Sequence, residues 1–406
     1  ASAATCTVNI SAGGNLQTAI DNAKLGDTIC LQAGATFTGT FILKKKTTGA
    51  GWITIRTSTP DAQFIQPGTR VSPSNASLMP KLKSIANMDG LPVFKTEFGA
   101  HHYRLIGLEI VPPTTVETVN LSPSYTYQSY GLIWFGTAYE TAFSDLPNNL
   151  IIDRSYIHGW PDQEVRRGVN LNSASAAVID SYISEIHQLY SDTQAIGGWS
   201  GSGPFKIYNN YLESSGENVL FGGGRPSIVG NVTSDVEFRK NHISKPLSWK
   251  SGGSSFGGNK WLVKTPFEMK SVKRLWVEGN VFDTHWEGVH SGHMISLWPT
   301  RPQSGEWAVV EDIIIENNII KDTAAAISLA GTGLPAPDNG LNRVLIRNNL
   351  IYDMGGSWGG SGGAFRGYTA TNDVRIEHNT LINEGANRFL DLECGKISTI
   401  PPFNTP

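Results

Sequence analysis

The sequence predicts an all-β fold, a right-handed parallel β-helix (a solenoid) with a short N-terminal amphipathic capping helix. The first observation is a recurring phrase, a polar residue of the Asn type followed by two mostly apolar or aromatic residues. It reads Ser155-Tyr156-Ile157, Ser181-Tyr182-Ile183, Asn210-Tyr211-Leu212, Asn241-His242-Ile243, Asn280-Val281-Phe282, Asn318-Ile319-Ile320, Asn349-Leu350-Ile351 and Asn379-Thr380-Leu381. The second is its period of about 26 to 39 residues, too variable for rigid helical repeats and within the range of solenoids. The third is that strand, polar turn, strand and turn alternate within each unit with no helical period. Stacked coils of this kind would ladder their Asn side chains at an inner turn.

The elements follow in order. An open first coil would expose the core, so a solenoid needs a cap. Asn15, followed by Leu16, Ala19, Ile20 and Ala23, supplies a short amphipathic helix with a polar N-cap. Gly26-Asp27 turns into a strand at Thr28–Leu31, and further strands are expected at 39–43, 52–57 and 103–110. Nothing in the composition divides the chain. It reads as one domain, 1–406, with a cap at 1–30, stacked coils at 31–395 and a tail at 396–406.

From about residue 130 each coil carries a second strand after the Asn-type mark. Alternation turns Val169, Leu171, Val219, Phe221, Phe267, Met269, Ile295, Leu297, Ile327, Leu329, Leu390 and Leu392 inward. Their neighbours then form two outward columns. One is Asn170, Gly197, Leu220, Glu268, Ser296, Ser328, Arg366 and Asp391. The other is Asn172, Trp199, Gly222, Lys270, Trp298, Ala330, Tyr368 and Glu393.

Composition narrows the partners. With 32 Lys and Arg against 35 Asp and Glu, the net charge is −3 and no basic stripe stands out. That argues against nucleic acid. No apolar run approaches the length of a membrane-spanning helix, so no membrane partner is expected. Ala1-Ser2-Ala3-Ala4-Thr5 looks like the stub left by signal-peptide cleavage, and a Cys6–Cys30 disulfide would suit a secreted, extracellular protein; Cys394 is left over. A monomer is expected.

Candidate chemistry lies on the outward columns. Trp199, Trp298 and Tyr368 would offer a platform for sugar rings, whose C–H faces are apolar and rims polar. Asn170, Asn172 and Arg366 join them as substrate-binding candidates. Loops bearing Tyr125, Tyr127, Tyr130, Trp249, Phe256, Trp261, Trp307 and Trp358 are expected to wall this face. The densest cluster is Lys264-Thr265-Pro266-Phe267-Glu268-Met269-Lys270-Ser271, followed by His290, His293 and Arg301.

The helix-capped opening and its coils resemble secreted proteins of the pectate-lyase-like β-helix superfamily. More locally, Glu268-Met269-Lys270-Ser271 followed by Asn280 resembles the Glu…Lys-Ser…Asn stretch of alginate lyase and chondroitinase-B-like polysaccharide lyases. The resemblance implies Lys270 as catalytic base and Glu268 as a metal ligand for Ca2+. Here His290-Ser291-Gly292-His293 stands where that family has an Arg-His pair, and the family's second carboxylate before the lysine is missing.

The expected function is therefore β-elimination on an acidic, uronic-acid-containing polysaccharide, with His293 or Arg301 assisting the leaving oxygen. A non-catalytic carbohydrate-binding module needs only the aromatic column and remains open. Glycoside hydrolysis, with Asp391 and Glu393 as the outward carboxylates, is a third reading.

Overall fold

The computed structural model describes residues 5–85, 90–114, 130–331, 340–368, 371–382 and 389–393. The sequence expectations for Tyr125, Tyr127, Cys394, the leader stub at 1–4 and the tail at 396–406 lie outside these residues.

Each full coil runs through three strands, and equivalent strands of successive coils pair in parallel. Three sheets result, of twelve, eleven and eleven strands among the described residues. Sheet I runs from Val8–Ile10 to Asn372–Glu377, sheet II from Thr36–Thr38 to Thr380–Ile382, and sheet III from Phe41–Leu43 to Leu390–Glu393. One continuous apolar core fills the space between them, including Ile152, Ile207, Phe238, Val277 and Ile315 from sheet I and Phe221, Phe267 and Leu297 from sheet III.

The turn from sheet I to sheet II explains the recurring phrase. Asn210, Asn241, Asn280, Asn318 and Asn349 are buried, and each side-chain oxygen accepts the backbone N–H of the ladder residue one coil earlier. Each side-chain amide donates to the next Asn in the stack and to a backbone carbonyl, as Asn280 does to Asn318 Oδ1 (2.9 Å) and Phe238 O (3.0 Å). Ser181 Oγ continues the ladder at 3.1 Å from Ser155 N. The residue just before each rung is left-handed, with φ of 52° at Asp180, 56° at Asn209, 57° at Asn317 and 54° at Asn348. Asn and Asp tolerate that region best, which accounts for the Asn-Asn pairs in the sequence.

The cap forms as expected. A helix spans Leu16–Asn22, Asn15 Oδ1 accepts from Thr18 N at 3.0 Å, and Leu16 and Ile20 are buried against the first coils. Cys6 and Cys30 form a disulfide that ties the segment before the first strand to the strand Thr28–Leu31.

Candidate functional site

The outer face of sheet III gathers the candidate side chains. Strand register aligns Trp134, Asn170, Gly197, Leu220, Glu268, Ser296, Ser328, Arg366 and Asp391 in one column. This is the first column read from the sequence, extended by Trp134. In the second column, Ala330, Tyr368 and Glu393 pair in register; the Glu393 side chain lies outside the described residues. Trp298 and Lys270 follow directly on strands His293–Leu297 and Phe267–Met269.

Strict alternation fails where sheet II bends into sheet III. There two consecutive residues face the core, as in Ala195-Ile196, Met294-Ile295 and Ala326-Ile327. The residue before each such pair is thereby released from the core, which creates a third row with Arg167, Gln194, Glu217 and His293. By period-two counting, Arg167, Gln194 and Glu217 would share the inward parity of Val169, Ile196 and Val219. Sequence reasoning therefore missed them; the signal was a charged or amide residue two positions before each inward apolar one.

This row is a continuous polar chain. Arg167 Nε donates to Gln194 Oε1 at 2.7 Å, and Gln194 Nε2 donates to Glu217 Oε2 at 2.8 Å. Lys264 Nζ stands 3.0 Å from both Glu217 Oε1 and Asp192 Oδ1. One coil on from Glu217, Glu268 Oε2 and Lys270 Nζ form an ion pair at 3.2 Å. Burial opposes ionisation of Glu217, but Lys264 and Lys270 outweigh it and hold the carboxyl below its ordinary range. Burial, reinforced by the charge on Glu217, pushes Glu268 up to about 7. Two neighbouring carboxyls thus titrate apart, which is the pattern of acid–base sites.

His290 and His293 are both held below the ordinary histidine range. Burial, and then Lys264, lowers His290; its Nδ1 lies 3.3 Å from Thr265 Oγ1. Burial, and then Arg366, lowers His293 to about 4, and its Nδ1 lies 3.0 Å from Ser291 Oγ. Arg301 sits in the loop after Trp298, where its Nε donates to Ala308 O.

Of the expected aromatics, Trp298 is 50% exposed, whereas Trp199 and Tyr368 are half-buried beneath arginines. Arg167 lies 4.9 Å from the Trp199 ring centre and Arg366 4.1 Å from that of Tyr368. Trp249 and Trp261 do not line the face. They are buried with Trp286 in a separate loop core, where Trp261 stacks on His187 at 3.9 Å. Long insertions must bury something of their own to hold a shape, and these indoles do it. Trp307 stands in the loop on the other side, donating to Asn231 O.

No protein-family profile and no curated protein sequence matches the chain. Solved structures do. A DFA-IIIase of Arthrobacter chlorophenolicus without its lid superposes with a TM-score of 0.54 at 10% identity, over 93% of this chain and 85% of that one. The chain is a right-handed parallel β-helix. Similarity extends to an alginate lyase of a Paenibacillus species (TM-score 0.41, 14% identity, 95% and 100% of the two chains). It also extends to the A-module of a mannuronan C-5 epimerase from Azotobacter vinelandii (TM-score 0.44, 11% identity, 95% and 95%). At these identities the likeness concerns the fold alone. Within this β-helix, no helix among the described residues is long and apolar enough to cross a membrane.

Proposed function

We propose that the protein is a secreted, carbohydrate-active β-helix protein that binds an acidic polysaccharide along the outer face of sheet III and cleaves it by β-elimination. The observation that carries this reading is the pair of lysine–carboxylate couples on adjacent coils, Lys264 with Glu217 and Lys270 with Glu268, beside the exposed indole of Trp298. The solved structures named above include an alginate lyase and a mannuronan C-5 epimerase. The disulfide favours an oxidising compartment.

In this reading Glu268 orients the Lys270 amine across 3.2 Å, and Lys270 acts as the free amine. Lys270 then removes the proton at C5 of the uronate ring. The C4–O bond breaks, its electrons staying on the leaving oxygen, while the C5–H pair forms the C4–C5 double bond. The uncharged state of His293 makes Arg301 the better cation for that oxygen, with solvent completing the proton transfer.

The residues do not fit calcium. Glu268 and Glu217 are each engaged by an ammonium, and no group of three or more His, Cys, Asp or Glu side chains gathers as metal ligands among the described residues. No step is routed through a metal.

Incubation with alginate, chondroitin, polygalacturonate and xylan, followed by absorbance of the unsaturated product, tests the reading. Product from a uronate polymer that withstands chelator and disappears in Lys270→Ala is expected. Binding of a polymer without product, weakened by Trp298→Ala, would replace the lyase with a binding module.

A further inference from the structure

Three coils before Glu268, the same face holds a group that the lyase chemistry does not use. Arg167 is buried, and its guanidinium forms no ion pair with a carboxylate among the described residues; its Nε goes to the neutral amide of Gln194. Arg167 Nη1, Asn170 Oδ1, Asn172 Nδ2 and Trp134 Nε1 are all sealed from solvent without a hydrogen-bond partner among the described residues. Trp134 and Asn170 are direct register partners, and Asn170 and Asn172 are buried at the same strand end, where Asn172 Oδ1 accepts from Trp199 N and Ser200 N. Arg166 and Arg167 both lie over the ring of Tyr130, at 4.9 and 5.0 Å.

A buried cation with no carboxylate in direct contact among the described residues, held by an amide and a phenol amid unmatched polar atoms, is a costly arrangement unless an anion completes it. We propose that Tyr130, Trp134, Arg166, Arg167, Asn170 and Asn172 form a second anion subsite, which takes the carboxylate of a uronate unit. A guanidinium fork matches a planar carboxylate with two parallel hydrogen bonds. The flat face of Trp134, half-buried beside Asn170, suits the attached ring. The register Asn170, Gly197, Leu220, Glu268 puts the subsite three coil steps, roughly 14 Å, from the Glu268–Lys270 pair. The proposal rests on the acidic-polysaccharide reading and sharpens it: the substrate carries carboxylates on several units, and short oligomers that reach only one site bind weakly.

Tyr130 reports on the subsite without any need for turnover. Burial raises its ionisation, but Arg167 and then Arg166 outweigh burial and lower it from the ordinary value. Among the described residues, the charged groups facing the phenol are these two arginines, with Glu217 acting on Arg167 from two coils away. The test is a pH titration of tyrosinate absorbance on the whole protein. One tyrosine should ionise below the others and be missing in Tyr130→Phe. Glucuronate should move that step upward by about one pH unit, because a bound anion cancels the guanidinium charge. Glucose, or chloride at equal ionic strength, should leave it in place, and Arg166→Gln should raise the step and abolish the glucuronate response. A step that glucuronate does not move, or that chloride or sulfate moves equally, overturns the carboxylate subsite. The readout is independent of bond cleavage, so failure of the elimination assay would leave this result standing, and the reverse.

Discussion

Lys264 Nζ lies 3.0 Å from Glu217 Oε1, and this contact sets the charge of the whole face. Glu217 is fully buried, and it stays ionised because Lys264, itself held cationic by Glu217 and Asp192, stands beside it. Its negative charge in turn helps keep Glu268 protonated up to about 7. One ion pair thereby tunes a second carboxyl on the next coil.

Removing one partner of that pair should be far more damaging than removing both. Lys264→Met strands a buried carboxylate and should cost about 3–5 kcal/mol. Adding Glu217→Gln should recover much of the loss. Urea unfolding of the two single variants and the double variant measures this, and additive losses would argue against direct coupling.

Glu268, like Glu164 and Glu213, makes stability depend on pH. Its folded value, about 7, lies above the ordinary 4.5, so its contribution is fully present below about pH 4.5 and is lost as pH rises through 7. Thermal melts should show a decline across that window, and Glu268→Gln should make it shallower, with Glu164 and Glu213 sustaining the rest. His293 acts in the opposite sense. With a folded value near 4, its contribution is complete above the ordinary histidine value of 6.5 and is lost as pH falls towards 4. His293→Gln should therefore steepen the Glu268 decline.

The ladder should be least replaceable in its middle. Asn280→Ala leaves the Asn241 N–H and Phe238 carbonyl unmatched in the interior, at a cost of about 2–3 kcal/mol. Asn379→Ala, at the last rung described and partly open to water, should cost less. Equal losses in chemical denaturation would mean that burial does not set the value of a rung.

Trp298 should contribute to polymer binding without supporting the fold, since it is 50% exposed. Trp298→Ala should weaken retardation in polymer-containing gels about three- to tenfold, the worth of one stacking contact, with an unchanged melting temperature. A fall in melting temperature would instead assign the indole to packing.

The sequence by itself determined the coil. The Asn phrase recurs because each rung must bond to the next, and a left-handed residue must precede it. Period-two alternation then dictated which side chains line the outer face of sheet III, so the column from Asn170 to Asp391 was legible residue by residue. The capping helix was equally legible, because a lone amphipathic stretch before the first strands had only the open core to cover.

Only the tertiary structure decided which charges meet. At the corner into sheet III two consecutive residues turn inward, and this break in alternation frees Arg167, Gln194 and Glu217 from the core. The fate of the loop indoles was also undecided in one dimension: Trp249 and Trp261 satisfy each other's segments rather than the groove. Lys264 meets Glu217 because the loop leading into Phe267–Met269 brings it over the preceding coil, a distance that strand periodicity does not encode. Local chemistry repeats along the chain, but contacts across a corner depend on how far each loop travels before it returns.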